Sequence, residues 1–333
     1  MSLEASLLAG AALSLGAASP AEWAIHKYML HARKRNWLTR RPAISHNDIH
    51  HGGYRAPHHY YRDVTNEDII IHFSPQYVGL IAGIATAVGA GIATVHNIAS
   101  SGKQVGIEDV LFAGGVVGGT MAYYGAYEFT HHYMHVIGRR RMAINNELGN
   151  ALQGGKADDM LRFSKPLLDD ICNAMEKNID RGMRSHPQKY DYDPALVKRL
   201  DDQIRINADR EPFGKLVRPH MERMDAYEAL QYTTDIMISL EEKWKSGMTK
   251  WGRAKYWLER KVQSVLRNSK MYEYIDNHHF LHHFRYLKNL NVVWPLMDKL
   301  AGTKVDSSRE MLEKDTNFWL CPNTTDKNKF DLN

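Results

Sequence analysis

Three long stretches in the first part of the chain are apolar and almost free of charge. Residues 3–19 continue past Pro20 to about residue 30, a second stretch runs from about 77 to 99, and a third from about 110 to 129. Each has roughly the ~20 residues that a membrane-spanning helix needs. The pattern predicts an all-α integral membrane helical bundle, although the mean hydropathy of the whole chain, −0.47, is that of a soluble protein.

The first apolar stretch also resembles a signal peptide, because small residues stand at positions 17–19. A signal peptide needs a basic segment before its apolar run, and no Lys or Arg precedes this one, so we expect an uncleaved helix. Glu4 and Glu22 reduce its hydropathy. The second and third stretches are rich in Gly and Ala, which let transmembrane helices approach closely.

Basic residues follow the first and third stretches, whereas the link between the second and third is short and carries few charges. Positive residues mark the cytoplasmic side of a membrane protein. We therefore expect a multi-pass protein of a bacterial inner membrane or the endoplasmic reticulum, with its N-terminus outside. The basic residues are Arg33, Lys34, Arg35, Arg40 and Arg41 after the first stretch, and Arg139, Arg140 and Arg141 after the third.

A polar region of about 130 residues, 142–270, separates the apolar stretches from the C-terminal part of the chain. Two apolar stripes at helical spacing predict that it is a large helical cytoplasmic insertion or cap. The second stripe lies in AYEALQYTTDIMISL, and Pro212, Gly214 and Pro219 mark a break between the stripes. The first consists of Leu168, Ile171, Cys172, Met175 and Ile179.

The last part of the cap, Lys243–Lys270, carries nine basic residues against the single acid Glu259. Apolar residues, among them Trp251 and Leu258, recur there at helical spacing. This composition is typical of a helix that lies on an anionic membrane surface. A helix packed on the rest of the cap is the alternative.

Composition limits the chemistry of the chain. Its two cysteines, Cys172 and Cys321, build neither a disulfide framework nor a thiolate metal site, which indicates a reducing compartment. A net charge of +5 and the lack of a nucleic-acid motif give no support for nucleic-acid binding. The 18 histidines, in contrast, are strongly clustered, so any metal would be bound by nitrogen or oxygen.

Most histidines fall into four clusters, at or beyond the predicted cytoplasmic ends of the helices. In EWAIHKYMLH the two histidines are five residues apart, which is 140° off one face of an α-helix. They would serve different ions, unless the helix ends between them. SHNDIHH gives an i,i+4 pair and one outlier, THHYMHV a pair, and HFLHH a pair and an outlier. The ten residues are His26, His31, His46, His50, His51, His131, His135, His279, His282 and His283.

These ten histidines sort into two sets of five, which indicates two metal ions. A single i,i+4 histidine pair is more often solvated or hydrogen-bonded than metal-binding, but four clusters at one membrane face favour ligands. His58, His59, His132 and His278 are candidates for residues that support the ligands.

The motifs resemble those of the membrane fatty acid hydroxylase and sterol desaturase superfamily. Glu22 precedes His26 and His31 as an acidic residue precedes the first ligands there, and YEFTHHYMH at 127–135 is similar to the third motif. The resemblance covers roughly residues 20–137 and 277–303. Residues 279–303, HFLHHFRYLKNLNVVWPLMDKLAGT, resemble the fourth motif of the superfamily. Asp298, Gly302 and Thr303 match the signature with which that motif ends.

The resemblance implies a centre of two iron ions held by all ten histidines. In the fatty acid 2-hydroxylase branch, one ion takes the ligands that match His31, His46, His50, His279 and His282. The other takes those that match His26, His51, His131, His135 and His283. Carboxylates that accept the second ring N–H would fix the imidazole tautomers, with ordinary surface carboxylates as the alternative; the candidates are Glu22, Asp48, Glu128 and Asp298.

The implied function is an O2-dependent diiron hydroxylase that inserts oxygen into an unactivated C–H bond of a lipid or alkyl substrate. Electrons would come from a separate redox partner of the ferredoxin, cytochrome b5 or reductase type, since no nucleotide-binding glycine loop or haem motif is present. We therefore predict that the chain is divided into four segments. They are the membrane helices with the first three motifs (1–141), the cap (142–270), the fourth motif that completes the catalytic domain (271–303) and a tail (304–333).

Three alternatives stay open. A desaturase of the same superfamily shares the C–H abstraction. A membrane metal transporter also places histidines in membrane helices, but near the bilayer midplane. A noncatalytic scaffold stabilised by metal predicts closed coordination without a neighbouring cavity.

Overall fold

The protein is predominantly helical throughout the part that the computed structural model describes. The described residues are 2–53, 75–99, 105–153, 163–185, 190–208, 224–285, 287–314 and 319–320. The prediction of an all-α protein is confirmed for these residues. The strand pairing found in them is short: β1 (Phe163–Ser164) runs antiparallel to β2 (Trp319–Leu320), with Phe163 opposite Leu320.

The chain divides into two compact units. Unit 1 takes the described residues within Met1–Gly52, Asn66–Met134 and Arg285–Val305, and unit 2 takes the remainder. The four segments predicted from the sequence stay a prediction.

Unit 1 is built on long helices and two π-helical turns. Its elements are α1 (Leu3–Ile25), the π-turn π1 (His26–Leu30), α2 (Arg40–Ala43), the π-turn π2 (Ile44–His50), α3 (His51–Gly53), α4 (Pro75–Ala99), the first part of α5 (Ile107–Gln153) and α11 (Leu296–Leu300).

Unit 2 contains the second part of α5 and the polar helices that follow it. Those helices are α6 (Lys165–Ser185), α7 (Pro194–Ala208), α8 (Ala226–Ser246), α9 (Lys250–Arg267), α10 (Lys270–Phe284) and α12 (Arg309–Lys314).

Small residues bring α1 and α5 into backbone contact within unit 1. A Cβ atom on Gly10 would clash with the carbonyl oxygen of Phe112, and one on Gly115 would clash with that of Leu7. The absence of a side chain at these positions therefore permits the close approach that is typical of membrane helices.

Among the described residues, one helix is long and apolar enough to cross a membrane, and it lies in α4 at Val78–Val95. Only 17% of that window is buried. The predicted first and third spans also form long helices, α1 and α5, and their insertion in a membrane stays a prediction. Helix α5 continues well past the predicted end at Phe129, through polar sequence, to Gln153.

The two apolar stripes predicted for the cap are confirmed as core. All five residues of the first stripe are buried on α6, and α8 buries Ala229, Leu230, Met237 and Ile238. A capping box starts α8, in which Asp225 accepts from the Glu228 amide and the Glu228 carboxylate accepts from the Asp225 amide. The predicted break at Pro212, Gly214 and Pro219 lies outside the described residues.

Candidate metal centre

Two π-helical turns place histidines five residues apart on one side of the chain. The amide of His31 donates to the His26 carbonyl oxygen at 2.9 Å, and the amide of His51 donates to the carbonyl of His46. A π-helical turn makes this i→i+5 hydrogen bond and is frequent at functional sites. Because one wide turn separates the partners, residues five apart come close to lying above one another.

The π-turns overturn the pairing inferred from α-helical spacing. His26 and His31 were expected on different faces, yet their rings stack with centroids 5.2 Å apart and planes within 6°. His46 was expected to pair with His50, but its Nε2 atom lies 3.2 Å from that of His51. The 140° offset applies only to 3.6 residues per turn, which neither segment has.

Four histidines of unit 1 converge through these turns. Each offers one ring nitrogen, and the four nitrogens lie within 4.8 Å of one another. The Nε2 atom of His46 is central, since it lies 2.8 Å from that of His26 and 3.2 Å from that of His51. All four side chains are buried, and we call them the π-turn quartet: His26, His31, His46 and His51.

A second buried pair in unit 1 consists of His50 and His131. Their Nε2 atoms are 3.3 Å apart, and one residue comes from π2 and the other from α5. The resemblance groups His50 with His31 and His46. In the structure, Nε2 of His50 lies next to Nε2 of His131 instead. The reason is that, in the π-turn, the residue beside His46 is His51.

Three histidines converge within unit 2, and their nitrogens also lie within 4.8 Å of one another. The Nε2 atoms of His279 and His283 are 3.0 Å apart on consecutive turns of α10. The ring of His135, on α5, meets each of these rings edge-on at a centroid distance of 5.5 Å. We call this group the unit 2 triplet.

The other predicted histidines are one further ligand candidate, His282, and four candidates for supporting residues. His282 is fully buried on α10, and its ring stacks against His279. His278 is buried and stacks on Tyr274, and His132 meets the Tyr133 ring edge-on. His58 and His59 lie outside the described residues.

The donor sets fit metal ions. Two nitrogens that each lie about 2.0–2.1 Å from one ion are at most about 4.2 Å apart, and the Nε2 separations of 2.8, 3.0 and 3.2 Å fall below this limit. A hydrogen bond satisfies only two nitrogens, whereas a cation accepts lone pairs from all members of a group. The protein therefore has two buried histidine groups compatible with a histidine-rich dimetal site.

Imidazole suits iron, zinc and copper alike, so these donors do not fix the identity of the metal. A thiolate is not among them. Cys172 is buried on α6, where burial raises the pKa of its thiol well above the usual range. Cys321 lies outside the described residues.

Asp48 acts on a histidine only through a neighbouring amide. Its carboxylate forms a two-pronged ion pair with Arg35 at 2.7 Å and accepts from the Asn47 side chain at 3.3 Å. The Asn47 oxygen in turn lies 3.3 Å from Nδ1 of His31. Asn47, which the sequence patterns did not single out, is thus the group that holds the His31 tautomer with Nε2 available as a ligand.

Two of the predicted carboxylates hold a loop of unit 1, residues 289–298: Asp298 bonds within the loop, and Glu22 joins the loop to α1. Glu22 accepts from the Tyr123 hydroxyl at 2.6 Å and from the Asn291 side chain at 3.2 Å, and also from the Val292 amide. Asp298 accepts from the amides of Leu290 and Asn291 at 2.9 and 2.8 Å. The loop therefore contacts α1 at Glu22, four residues before His26. Glu22 supports His26 indirectly, because it fixes the end of the helix that leads into this histidine.

Glu128, the remaining predicted carboxylate, accepts a hydrogen bond from the Tyr124 hydroxyl at 2.9 Å. It lies on α5, three residues before His131. A role in orienting an imidazole stays a prediction for this residue.

A buried ionic network fixes α10 against α5 and α6 inside unit 2. The Lys165 ammonium, which has no exposed surface, donates to Asp169, Asp276 and Asn277, each at 2.7 Å. Arg141 donates to Asp276 at 2.8 Å. Burial would raise the pKa of Asp276, but Lys165 and Arg141 outweigh it and lower that pKa. Because Asp276 precedes His279 by one turn, the network positions the unit 2 triplet.

A small apolar cavity of about 120 Å³ adjoins His26 in unit 1. It opens between α1, α4 and α5. Its other lining residues are Ala18, Ala21, Glu22, Ile25, Leu30, Ile81, Thr120, Tyr123 and Tyr127. A slim apolar chain fits this space better than a bulky ring system, because drug-sized ligands occupy about 300 Å³ or more.

No protein-family model, curated protein or solved structure matches the chain.

Proposed function

We propose that the protein is a membrane-bound dimetal monooxygenase that hydroxylates a C–H bond of a lipid or alkyl substrate with O2. The observation that carries the proposal is the convergence of buried imidazole nitrogens in both units, from four motifs whose order is that of the fatty acid hydroxylase and sterol desaturase superfamily. The ten histidines would hold two iron ions. When bound, these supply reduction of O2 and oxidation of an unactivated C–H bond, with two electrons from a separate donor.

The cavity beside His26 supports a substrate with an apolar chain. Its apolar lining excludes water from the chain, while alanines leave room between α1 and α5. Binding there would hold one carbon next to the π-turn quartet, and such positioning selects the site of reaction. A purely structural metal site needs no cavity of this kind.

The membrane part of the proposal rests on three predicted spans. The apolar window of α4, the close backbone contact of α1 with α5 and the exposed apolar side chains of α1 support it. A substrate dissolved in the bilayer would reach the cavity between α1, α4 and α5 without crossing water.

The test combines metal analysis with product analysis. Full-length protein is purified in detergent, its metal content is measured, and it is supplied with O2, a reductase system and lipids of different chain length. Two irons per chain and an O2-dependent gain of one oxygen atom in the product support the proposal. A double bond in the product would identify a desaturase instead.

Two variants of α10 sharpen this test. His282→Ala should abolish turnover, whereas Met271→Ala, which shortens an exposed side chain of the same helix, should retain it. Full turnover by His282→Ala would refute its role as a ligand. Metal uptake into proteoliposomes without lipid oxidation would show a transporter.

A further inference from the structure

Helix α9 of unit 2 has its polar and apolar sides reversed relative to an ordinary surface helix. Its buried residues are Arg260 and Gln263. Trp251, Leu258 and Val265, each seven residues from the next, form one outward stripe with exposures of 87, 58 and 71%. A water-soluble helix turns its apolar side to the core, so this stripe is suited to a medium other than water.

A cavity of about 420 Å³ lies between the same helix, α6 and α8, and its lining residues on α9 centre roughly 130° around the helix axis from the stripe. Four basic residues line it against one carboxylate, that of Asp180, which already accepts from Arg260 at 2.6 Å. Aromatic rings and a hydroxyl complete the wall. The lining residues are Lys245, Arg253, Arg260, Lys261, Asp180, Tyr256, Trp257 and Ser264.

The nearby acids are already engaged by arginines. Glu176 contacts Arg140 and Arg260, and Glu241 contacts Arg140. Burial, followed by repulsion from Arg260, lowers the pKa of the Lys245 ammonium. The wall of the cavity is therefore electropositive, and it attracts anions.

We propose that this cavity binds the phosphate group of an anionic phospholipid, with the Trp251, Leu258 and Val265 stripe inserted at the boundary between headgroups and acyl chains. Arg253 and Lys261, both exposed at the cavity rim, approach the phosphate, and Trp257 belongs both to the cavity wall and to the exposed surface. This site does not depend on the metal centre.

Two features select a membrane lipid over a soluble phosphate compound. Trp257 and Lys261 line the cavity and lie on the side of α9 between the cavity and the stripe, so a lipid whose phosphate enters the cavity can lie beside the inserted stripe. Lys255 and Lys261 flank the stripe on its two sides, where long stems reach the headgroups while the aromatic residues lie deeper.

Native mass spectrometry of the full-length protein in detergent tests the proposal. The protein is offered equal amounts of phosphatidylglycerol and phosphatidylcholine, and bound lipid is counted. We expect retention of phosphatidylglycerol, and a loss of about tenfold or more in R253E/K261E, since each basic residue near an anionic surface adds about fivefold. The control K198E/R205E makes the same charge change at exposed positions of α7 and should bind as the unaltered protein does.

Three results would overturn the assignment: equal retention of both lipids, equal loss in the control variant, or displacement of phosphatidylglycerol by an excess of inorganic phosphate. The last would mean that a soluble phosphate is the ligand. A further variant, W251S/L258S, separates the two parts of the proposal, because it should weaken retention of both lipids and keep the preference for the anionic one.

Discussion

The Nε2 atoms of His26 and His46 lie 2.8 Å apart, although the residues belong to two different π-helical turns. Each turn also brings its own second histidine, His31 or His51, to the same place. A pair of matched distortions thus builds the π-turn quartet, which two regular helices with the same spacing would not form.

Removal of His46 should have the largest effect on the quartet, because its Nε2 atom is close to two other ring nitrogens. We expect His46→Ala to bind one metal ion per chain where the unaltered protein binds two. Elemental analysis against protein concentration measures this. Ile49→Ala, which shortens an exposed side chain of the same π-turn, is the matched control, and an unchanged metal content in His46→Ala would contradict the assignment.

Asn47 is expected to tune the metal site through His31. Asn47→Leu keeps the size of the side chain and removes the oxygen 3.3 Å from Nδ1 of His31. Groups that support metal ligands in this way typically change metal affinity or activity by about 10–100-fold. Metal affinity is measured by competition with a chelator.

Arg35→Gln is the control for Asn47→Leu, because it removes the exposed ion pair with Asp48 and leaves the amide in place. Exposed pairs contribute only about 0–1 kcal/mol. Equal losses in the two variants would show that Asn47 has no separate role.

The sequence predicted the histidines of the site better than their arrangement. All ten residues are buried, and ring nitrogens converge within unit 1 and within unit 2. The apolar spacing correctly located the buried faces of α6 and α8. The π-turns could not be read from spacing, because an i→i+5 hydrogen bond leaves no apolar period of its own. The importance of Asn47 could not be recognised because a single amide forms no motif. That of Lys165 could not be recognised because two of its three partners, Asp276 and Asn277, are 111 and 112 residues away.

The buried network around Lys165 should be essential for the stability of unit 2. Lys165→Met leaves Asp169 and Asp276 buried without the ammonium, and breaking a buried pair in this way typically destabilises by about 3–5 kcal/mol. Chemical denaturation followed by circular dichroism measures the change. The double variant Lys165→Met/Asp169→Asn removes one of the stranded charges and should recover part of the loss; no recovery would argue against a charge effect.

Stability should fall at acid pH through Glu176. Burial would raise the pKa of this carboxyl, but Arg140, Arg260 and Arg267 lower it to about 2, from 4.5 in the unfolded chain. A lowered folded-state pKa gives stability that is complete above 4.5 and is lost as the pH falls towards 2. The contribution is about 3 kcal/mol as an order of magnitude.

The comparison of unaltered protein with Glu176→Gln isolates this effect. The variant should be less stable at pH 6, and the difference should narrow at pH 3, because Glu176 is then protonated in the unfolded chain while it stays ionised in the folded protein. Thermal unfolding at both values of pH measures the difference. If the difference in stability between the two proteins is the same at pH 6 and pH 3, the charge of Glu176 does not contribute to stability.

Filling the cavity beside His26 should impair turnover without removing metal. Ala18 lines this cavity on α1, and Ala18→Phe would occupy the space proposed for the apolar chain. We expect a higher KM or complete loss of lipid oxidation, with metal content unchanged, because no ligand is altered. Leu8→Phe adds an aromatic ring at an exposed position of the same helix and should be neutral. Full activity of Ala18→Phe on long-chain lipids would place the substrate elsewhere, and loss of metal would show that the cavity supports the quartet rather than the substrate.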